Sequence, residues 1–185
     1  MTVGDARDKH LRDNGFGDGG YDDTWVYVKF GWIPAVIPNT KRRRKEIQCH
    51  DLHHVVAGMN GVYNQGEIDL IGYEIRGRGV GLWPFAWYIF LNLFALGLVW
   101  RPRALFRTFV RARDARTLFG KTVTPEILAM SVGELRAHLG WADPQPAIAR
   151  DRWAFAGWAL ASCAFVLAEL ATVGGVLAVG WSLLS

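Results

Sequence analysis

Residues 46–59, with the sequence EIQCHDLHHVVAGM, contain the pattern from which the fold is predicted. Apolar residues recur in this stretch at the spacing of one helical face, and they are Ile47, Leu52, Val55, Val56 and Met59. Gly58, Asn60 and Gly61 close the stretch, and residues of these types commonly end helices. The stretch is therefore predicted to be an amphipathic helix that ends near residue 59.

Two histidines in this helix have the spacing of a metal site. His50 and His54 are four residues apart, so their rings lie one above the other on one helix face. Zinc proteases bind one ion through two imidazoles at this spacing. Asp51 lies about 100° around the helix, close enough to be a third ligand or to orient one. His53 points elsewhere and is interpreted as a partner of a ligand or as an alternative ligand.

A second helix is predicted over residues 65–75, and it contributes another carboxylate. Glu67 is thirteen residues after His54, about 20 Å along one straight helix, but three intervening glycines allow the chain to turn back. Two imidazoles with one or two carboxylates suit zinc, iron or manganese. A polar surface patch or a buried hydrogen-bond network is the non-functional alternative. The pattern favours a divalent metal, and the predicted ligands are His50, Asp51, His54 and Glu67.

The same residues carry a resemblance to a known family. The chain reads His50-Asp51-Leu52-His53-His54-Val55-Val56-Ala57-Gly58, followed by Gly66-Glu67-Ile68. These residues resemble the signature of the coenzyme Q biosynthesis protein four family, HDxxH with a glutamate after about eleven residues. The likeness extends over residues 25–140 and includes a Leu-Arg-x-x-Leu-Gly run ending at Gly140. Here twelve residues separate the last histidine from the glutamate, and the apolar tail lies beyond the family pattern.

The resemblance implies an all-α protein that holds a metal near an apolar tunnel for a polyprenyl chain. It also implies association with membrane lipid and with other ubiquinone-biosynthesis proteins. The implied reaction removes the carboxyl at carbon 1 of a polyprenylated benzoate ring, a quinone precursor, with hydroxylation there. In that reaction the metal, zinc before iron or manganese, would stabilise charge as carbon dioxide leaves, and Glu67 or His53 would handle a proton.

The composition of the whole chain favours contact with lipid. The 185 residues are 51% hydrophobic and include nine tryptophans, and the mean hydropathy is +0.10. The net charge of +4 suits an acidic partner such as anionic lipid. Cys49 and Cys163 lie far apart, as expected for a reducing compartment without a disulfide framework. Nucleic-acid binding is not predicted, because the Arg-rich segments adjoin apolar runs without a recognition motif.

Four segments are predicted along the chain. Residues 1–24 are rich in Gly and Asp and are expected to be a flexible lead. Residues 25–143 are expected to be the helical domain that binds the metal and the isoprenoid, and 144–152 a linker with two prolines. Residues 153–185 are predicted to be a hydrophobic membrane segment, in which two adjacent glycines, 174 and 175, would allow a break.

Within the domain, four stretches receive their own predictions. Residues 25–37 are expected to be an extended segment or a short helix on the core. The uncharged stretch 82–100 is long enough to span a membrane, but a buried or interfacial helix fits its positively charged flanks as well. Residues 101–116 are predicted to be a basic amphipathic helix, lying either against the core or on anionic headgroups. Residues 124–140 are predicted to be one further helix.

Two other functions fit parts of this sequence. His50-Asp51 is the adjacent pair used by HD-type metal-dependent phosphohydrolases, but the one upstream histidine, His10, lies in the expected lead. A non-catalytic isoprenoid-binding scaffold fits the lipid-facing composition as well as an enzyme does. The protein is expected to be a homo-oligomer at a bacterial inner membrane. Its domain is expected on the cytoplasmic side, since Arg150 and Arg152 precede the tail.

Overall fold

The computed structural model of this protein describes residues 1–30, 33–59, 65–77, 79, 81 and 83–184. Within those residues the chain forms eight helices and one two-stranded hairpin. In chain order they are α1 (Val3–Asp13), β1 (Trp25–Phe30), β2 (Ile33–Pro38), α2 (Lys41–Ala57), α3 (Gln65–Arg76), α4 (Pro84–Trp100), α5 (Pro102–Arg111), α6 (Pro125–Ala129), α7 (Val132–Leu139) and α8 (Ala149–Leu184). The prediction of an all-α protein with an apolar C-terminal helix is confirmed.

The α2–α3 pair, which carries the predicted ligands, lies between two hydrophobic clusters. The first cluster joins α1, α2, α3 and α7, and its buried residues include Val3, Leu52, Tyr73, Leu135 and Leu139. The second cluster joins α3, α4 and α5, and its buried residues include Ile71, Phe90, Phe94, Leu105 and Phe109. Each cluster buries one apolar helix face, and both faces of the pair are thereby held in position.

Helix α3 is positioned by a close approach to α5. A Cβ atom at Gly72 would lie only 2.8 Å from the carbonyl oxygen of Leu105. A larger residue there would push the two helices apart. Glu74 follows Gly72 by about 200° around the helix. Packing of α5 on one face of α3 therefore helps to set Glu74 on the opposite face, towards α2.

The predicted α2 and α3 helices are both present. Gly58 ends α2 with a φ of 69°, the left-handed conformation that glycine adopts without strain. The other predicted stop residues, Asn60 and Gly61, lie outside the described residues. Helix α2 begins at Lys41, five residues before the predicted start, because Thr40 caps it by accepting a hydrogen bond from the Arg43 backbone N–H at 3.2 Å.

The expectation of a flexible lead over residues 1–24 is wrong for its first half. Val3–Asp13 is helix α1, and Val3 is fully buried in the first cluster. A reciprocal capping box starts this helix: Asp5 N–H donates to Thr2 Oγ1 at 3.1 Å, and Thr2 N–H donates to Asp5 Oδ2 at 3.2 Å. Few apolar residues are present, so periodicity alone does not reveal the helix. The Thr-x-x-Asp pattern was the available signal.

The stretch before α2 is an antiparallel hairpin. Trp25 pairs with Pro38 and Tyr27 with Val36 along the β1–β2 ladder. This outcome matches the extended alternative for residues 25–37 and excludes the helical one. Both strands of a two-stranded hairpin are edge strands, and proline is tolerated in an edge strand because the missing N–H can face outward.

The single helix predicted over residues 124–140 is instead two helices. Met130 has the extended conformation, with φ −58° and ψ 151°, and ends α6. Ser131 then begins α7 with its own capping box, in which Glu134 N–H donates to Ser131 Oγ at 3.1 Å. The Ser-x-x-Glu pattern in the sequence marks this second start.

Helices α4 and α5 pack on the core with one face each. Leu105 and Phe109 of α5 are buried against α3, so one face of this basic helix lies on the core. The helix ends at Arg111 rather than at the predicted residue 116. Phe94 of α4 is fully buried, whereas Val99 and Trp100 are exposed. The uncharged stretch is therefore a half-buried helix of 17 residues.

Helix α8 begins at Ala149, inside the predicted linker. It continues to Leu184 through Gly174 and Gly175, where a break was predicted. Its start is held by Asp151, a buried carboxylate that accepts from Arg113 Nη2 at 2.6 Å and from Arg76 Nη2 at 3.0 Å. Trp158 stacks on Trp87 of α4, with ring centroids 5.5 Å apart. Residues 166–184 are mostly exposed. By length and composition, α8 could cross a membrane.

Candidate metal centre

Two predicted histidine ligands and the predicted glutamate meet at one point. His50 and His54 lie one turn apart on α2, and Glu67 lies in the first turn of α3. The His50 Nε2 atom is 3.1 Å from Glu67 Oε2, and the His54 Nε2 atom is 3.1 Å from Glu67 Oε1. One possible ligand atom from each residue lies within 4.8 Å of the other two. In the described part of the chain, these three residues form the group that could hold a metal ion.

The spacing of these atoms suits a small divalent cation. In a tetrahedral zinc site with bonds of about 2.1 Å, neighbouring ligand atoms lie about 3.4 Å apart. The two N–O distances of 3.1 Å run to different oxygens of Glu67, and they are hydrogen-bond lengths that are also close to that value. Three protein ligands leave one coordination position open, which is typical of catalytic rather than structural zinc sites. The donor set also suits iron or manganese.

The far ring nitrogen of each ligand histidine is held by an acceptor. His54 Nδ1 is 2.9 Å from the carbonyl oxygen of Met59, which can only accept. Nδ1 therefore donates to this carbonyl, and Nε2 is the atom that faces Glu67, as a donor to the carboxylate or as a ligand of a metal ion. His50 Nδ1 is 2.9 Å from Glu74 Oε1. Partners of this kind fix the orientation and tautomer of the ring in metal sites. Both Nε2 atoms therefore already face Glu67.

His53, one of the two predicted proton carriers, is fully buried and has both nitrogens occupied. Its Nε2 atom accepts from the backbone N–H of Leu118 at 2.8 Å, so Nδ1 carries the proton and donates to Glu74 Oε1 at 2.8 Å. The Phe119 ring packs edge-on against it, with centroids 4.7 Å apart. Burial lowers the pKa of the His53 imidazole. These contacts hold Glu74 in place from the interior, and the His53 ring is fully buried.

Burial opposes charge throughout this cluster, but the ionisable groups compensate one another. Burial disfavours the His50 imidazolium, yet Glu74 and Glu67 outweigh that effect and raise its pKa well above the usual value. Burial also disfavours ionisation of Glu67, and His50 and His54 outweigh it and hold its pKa well below the usual value. The same balance lowers the pKa of Glu74. The histidines thus keep both carboxylates ionised, and a divalent cation between these groups would supply the same positive charge.

Asp51, the fourth predicted ligand, lies outside the three-residue ligand group. Its Oδ2 atom accepts from the Tyr21 hydroxyl at 2.5 Å. Burial raises the pKa of this carboxyl. Tyr21 belongs to the segment between α1 and β1, so the hydrogen bond joins that segment to α2. The sequence contains no local signal for this pair, because the two residues are 30 positions apart.

His10 reaches the site as a packing partner. Its ring stacks on His54, with centroids 4.8 Å apart and 21° between the planes. Its Nδ1 atom is 3.1 Å from the side-chain amide of Asn14. His10 is not among the three residues that could hold a metal in the described part of the chain. The upstream histidine required by an HD-type phosphohydrolase is therefore near the site but does not lie in the ligand group.

Glu74 is the functional residue that the sequence analysis missed. It is 1% exposed and its Oε1 atom contacts both His50 and His53. A signal was available, since Glu74 follows Glu67 by seven residues, which is two helical turns and places both carboxylates on one face of α3. Glu67 is the candidate ligand on that face, and Glu74 contacts His50, one of the two candidate histidine ligands.

Replacing Glu74 with glutamine is expected to weaken metal affinity about ten- to a hundredfold. Both imidazoles contact Oε1, and the amide oxygen can still accept from them, so the substitution removes charge and keeps the shape. A titration against a competing chelator measures the affinity. Glu126→Gln, at an exposed position in α6, is the matched control and should bind as the wild type does. Unchanged affinity in Glu74→Gln would contradict the orienting role.

No family model, no curated protein and no solved structure matches this chain.

Proposed function

We propose that this protein is a membrane-bound, metal-dependent enzyme that acts on a polyprenylated ring in ubiquinone biosynthesis. One observation carries the proposal. Two imidazole nitrogens and one carboxylate converge from α2 and α3, and each ligand histidine is held by a separate acceptor. An ion held by these three donors would keep one coordination position for a substrate or water, as catalytic zinc sites do.

The residues of the candidate metal centre would have different roles in the reaction. His50, His54 and Glu67 would hold the ion, and Glu74 and the Met59 carbonyl keep the two rings in register. A divalent metal, when bound, supplies a Lewis acid that stabilises negative charge on a substrate oxygen. Of the two predicted proton carriers, Glu67 lies at the ligand group and is 33% exposed at its side chain, whereas His53 is enclosed. We therefore assign proton handling to Glu67.

The reaction follows from the sequence resemblance. The HDxxH motif with its later glutamate supports decarboxylation at carbon 1 of a polyprenylated benzoate, with hydroxylation there. Loss of carbon dioxide leaves an electron pair on carbon 1, which a proton takes up, and a cationic site would stabilise that charge. Hydroxylation at the same carbon would be a separate two-electron oxidation that needs an oxidant such as dioxygen. The same resemblance supports assembly with other ubiquinone-biosynthesis proteins and with further copies of this chain.

Apolar surroundings support an isoprenoid substrate. Phe119 lies 4.7 Å from the His53 ring and 5.9 Å from the ring of Phe90 on α4, by centroid distance. An aromatic layer thus connects the metal centre to the uncharged helix α4. That helix exposes Phe85 and Tyr88. A polyprenyl chain arriving from lipid would meet aromatic side chains between α4 and the site.

The membrane location is supported by α8. Its exposed part, residues 166–184, is about 28 Å long as a helix, close to the roughly 30 Å hydrocarbon core of a bilayer. Arg150 and Arg152 stand before the apolar stretch and favour a cytoplasmic position for the domain. We propose the bacterial inner membrane as the site of action.

The decisive test measures the metal and lipid bound to the purified protein and its ability to restore ubiquinone synthesis. Elemental analysis of purified protein is expected to show about one divalent metal per chain, and lipid extracted from the same sample should contain a polyprenylated ring by mass spectrometry. The chain should also restore ubiquinone synthesis in a strain that lacks its own family member. A protein that binds the lipid but does not restore ubiquinone synthesis, and that still binds the lipid after the metal is removed, would favour the non-catalytic scaffold. Hydrolysis of phosphoesters would favour the HD-type alternative.

Removing residues 166–185 is expected to turn the protein from an integral into an extractable one. The shortened chain keeps the half of α8 that packs on α4, so metal binding should be unchanged. Carbonate extraction of membranes, with metal analysis of the extracted protein, measures both. Removing residues 153–185 is the informative comparison, because it also deletes Phe155 and Trp158 from the core and should destabilise the domain. If the protein that lacks residues 166–185 still resists carbonate extraction, the membrane anchor lies elsewhere in the chain.

A further inference from the structure

The β1–β2 hairpin projects from the domain with an apolar face uncovered. Tyr27 pairs with Val36 and Trp25 with Pro38, and since side chains alternate along a strand, Trp25, Tyr27 and Val36 lie on one face. These side chains are 56%, 81% and 52% exposed. Isolated two-stranded hairpins are marginally stable in water, so a hairpin with such a face is stabilised by whatever surface covers it.

The base of the hairpin is fixed firmly to α2. The Asn39 backbone N–H donates to the Thr24 carbonyl at 2.9 Å, and the Asn39 side-chain amide donates to the carbonyls of Gly20 at 2.8 Å and Asp23 at 2.9 Å. Thr40 then caps α2. The hairpin therefore extends from the start of α2 in a set position and is not a free loop.

The hairpin base and the free half of α8 emerge at the same end of the domain. Arg42, in the first turn of α2, places its guanidinium 5.5 Å from the ring of Trp83, which precedes α4. Tyr88, one turn into α4, contacts Phe165, the last residue before the exposed half of α8. Only about 8 Å of helix separates Trp83 from Tyr88. These contacts place the start of α2, from which the hairpin extends, on the side of the domain where the exposed part of α8 begins.

The charge of this end fits an anionic surface. Residues 21–45 contain six Lys or Arg and two Asp. Lys41 and Arg42 are exposed beside the hairpin base, whereas Arg43 and Arg44 contact Asn39. Tryptophan and tyrosine prefer the headgroup level of a bilayer, and each cation near an anionic leaflet strengthens binding roughly fivefold.

We propose that the β1–β2 hairpin docks, through Trp25, Tyr27 and Val36, into the headgroup region of the anionic bilayer that α8 crosses. The inference rests on the proposed anchoring by α8 and adds a second contact that sets the tilt of the domain. Helix α2 carries both the hairpin base and the metal ligands, and His50 lies about 14 Å along it from Lys41. Docking would hold the metal centre at a constant height above the headgroups, where the ring of a lipid-anchored substrate can reach it.

Spin labels in the full chain, reconstituted into vesicles, test this directly. Cys163 is replaced by serine, Cys49 is fully buried, and single cysteines are introduced as Tyr27→Cys or Val36→Cys. Arg103→Cys, exposed in the first turn of α5, is the aqueous control. Leu177→Cys reports the α8 span. Accessibility to oxygen and to a soluble nickel complex is compared in phosphatidylcholine vesicles with and without phosphatidylglycerol.

Labels at 27 and 36 are expected to shift from water-like to bilayer-like accessibility when phosphatidylglycerol is present, while the label at 103 stays water-like. The double change Lys41→Glu and Arg42→Glu should reverse the shift. Water-like labels at 27 and 36 beside a bilayer-like label at 177 would overturn the hairpin inference and leave the α8 anchor intact. A water-like label at 177 would overturn both. If the labels at 27 and 36 are equally bilayer-like in vesicles without phosphatidylglycerol, the preference for an anionic bilayer would be overturned.

Discussion

Replacing either His50 or His54 with alanine is expected to abolish metal binding, from about one divalent ion per chain to almost none. Each residue supplies one of the three converging donors, so its loss would leave an ion with only two protein ligands. Loss of a ligand should exceed the ten- to hundredfold effect of losing an orienting partner. Inductively coupled plasma mass spectrometry of the purified variants measures the metal content per chain.

His138→Ala is the matched control, since this histidine is exposed on α7 and remote in sequence from the ligand group. Its metal content should equal that of the wild type. Circular dichroism must show that each variant keeps its helices. A folded wild type that is free of metal after growth in metal-replete medium would contradict the prediction, as would a His50→Ala variant that keeps a full complement.

Replacing Glu67 with glutamine is expected to reduce function steeply while the fold is kept. The carboxylate contacts both ligand histidines, and an amide of the same shape removes one negative charge from the metal's immediate surroundings. Restoration of ubiquinone synthesis in a strain lacking its own family member measures the loss. The side chain is 33% exposed, so little buried packing depends on it.

His53→Ala provides the comparison, because its effect should be on stability. The substitution leaves the Leu118 N–H and one side of Glu74 without partners in the interior, at a cost on the order of 3 kcal/mol. Thermal unfolding should show this loss, while Glu67→Gln should melt near the wild type. Full restoration by Glu67→Gln, beside failure of a well-folded His53→Ala variant, would reassign the proton carrier to His53.

Local pattern was sufficient for most helices of this protein. Apolar spacing over residues 46–59 and 65–75 predicted α2 and α3, because a helix face must be buried and its period is visible in the sequence. The i, i+4 relation of His50 and His54 follows from helix geometry alone. The glycines between the helices allowed Glu67 to return, although they did not require it.

Local pattern failed where a tertiary contact stabilises an element of weak periodicity. Helix α1 has few apolar residues and is stable because Val3 enters the core beside α2 and α7. Helix α8 continues through the adjacent Gly174 and Gly175, and its first half is secured by α4, α5 and the Asp151 ion pairs. Both outcomes depend on which surfaces meet, and that information is distributed over distant parts of the chain.

The sequence by itself determined the helix class, the pair of histidines on one face and the apolar length of the tail, since each depends on residues within two or three turns. Only the tertiary structure decided that Glu74 serves His50 and His53 together, that His53 is enclosed, and that Asp51 pairs with Tyr21. These contacts join residues 21 to 30 positions apart. Their existence depends on the position of α3 and of the segment before β1 against α2, which is set by core packing rather than by local spacing.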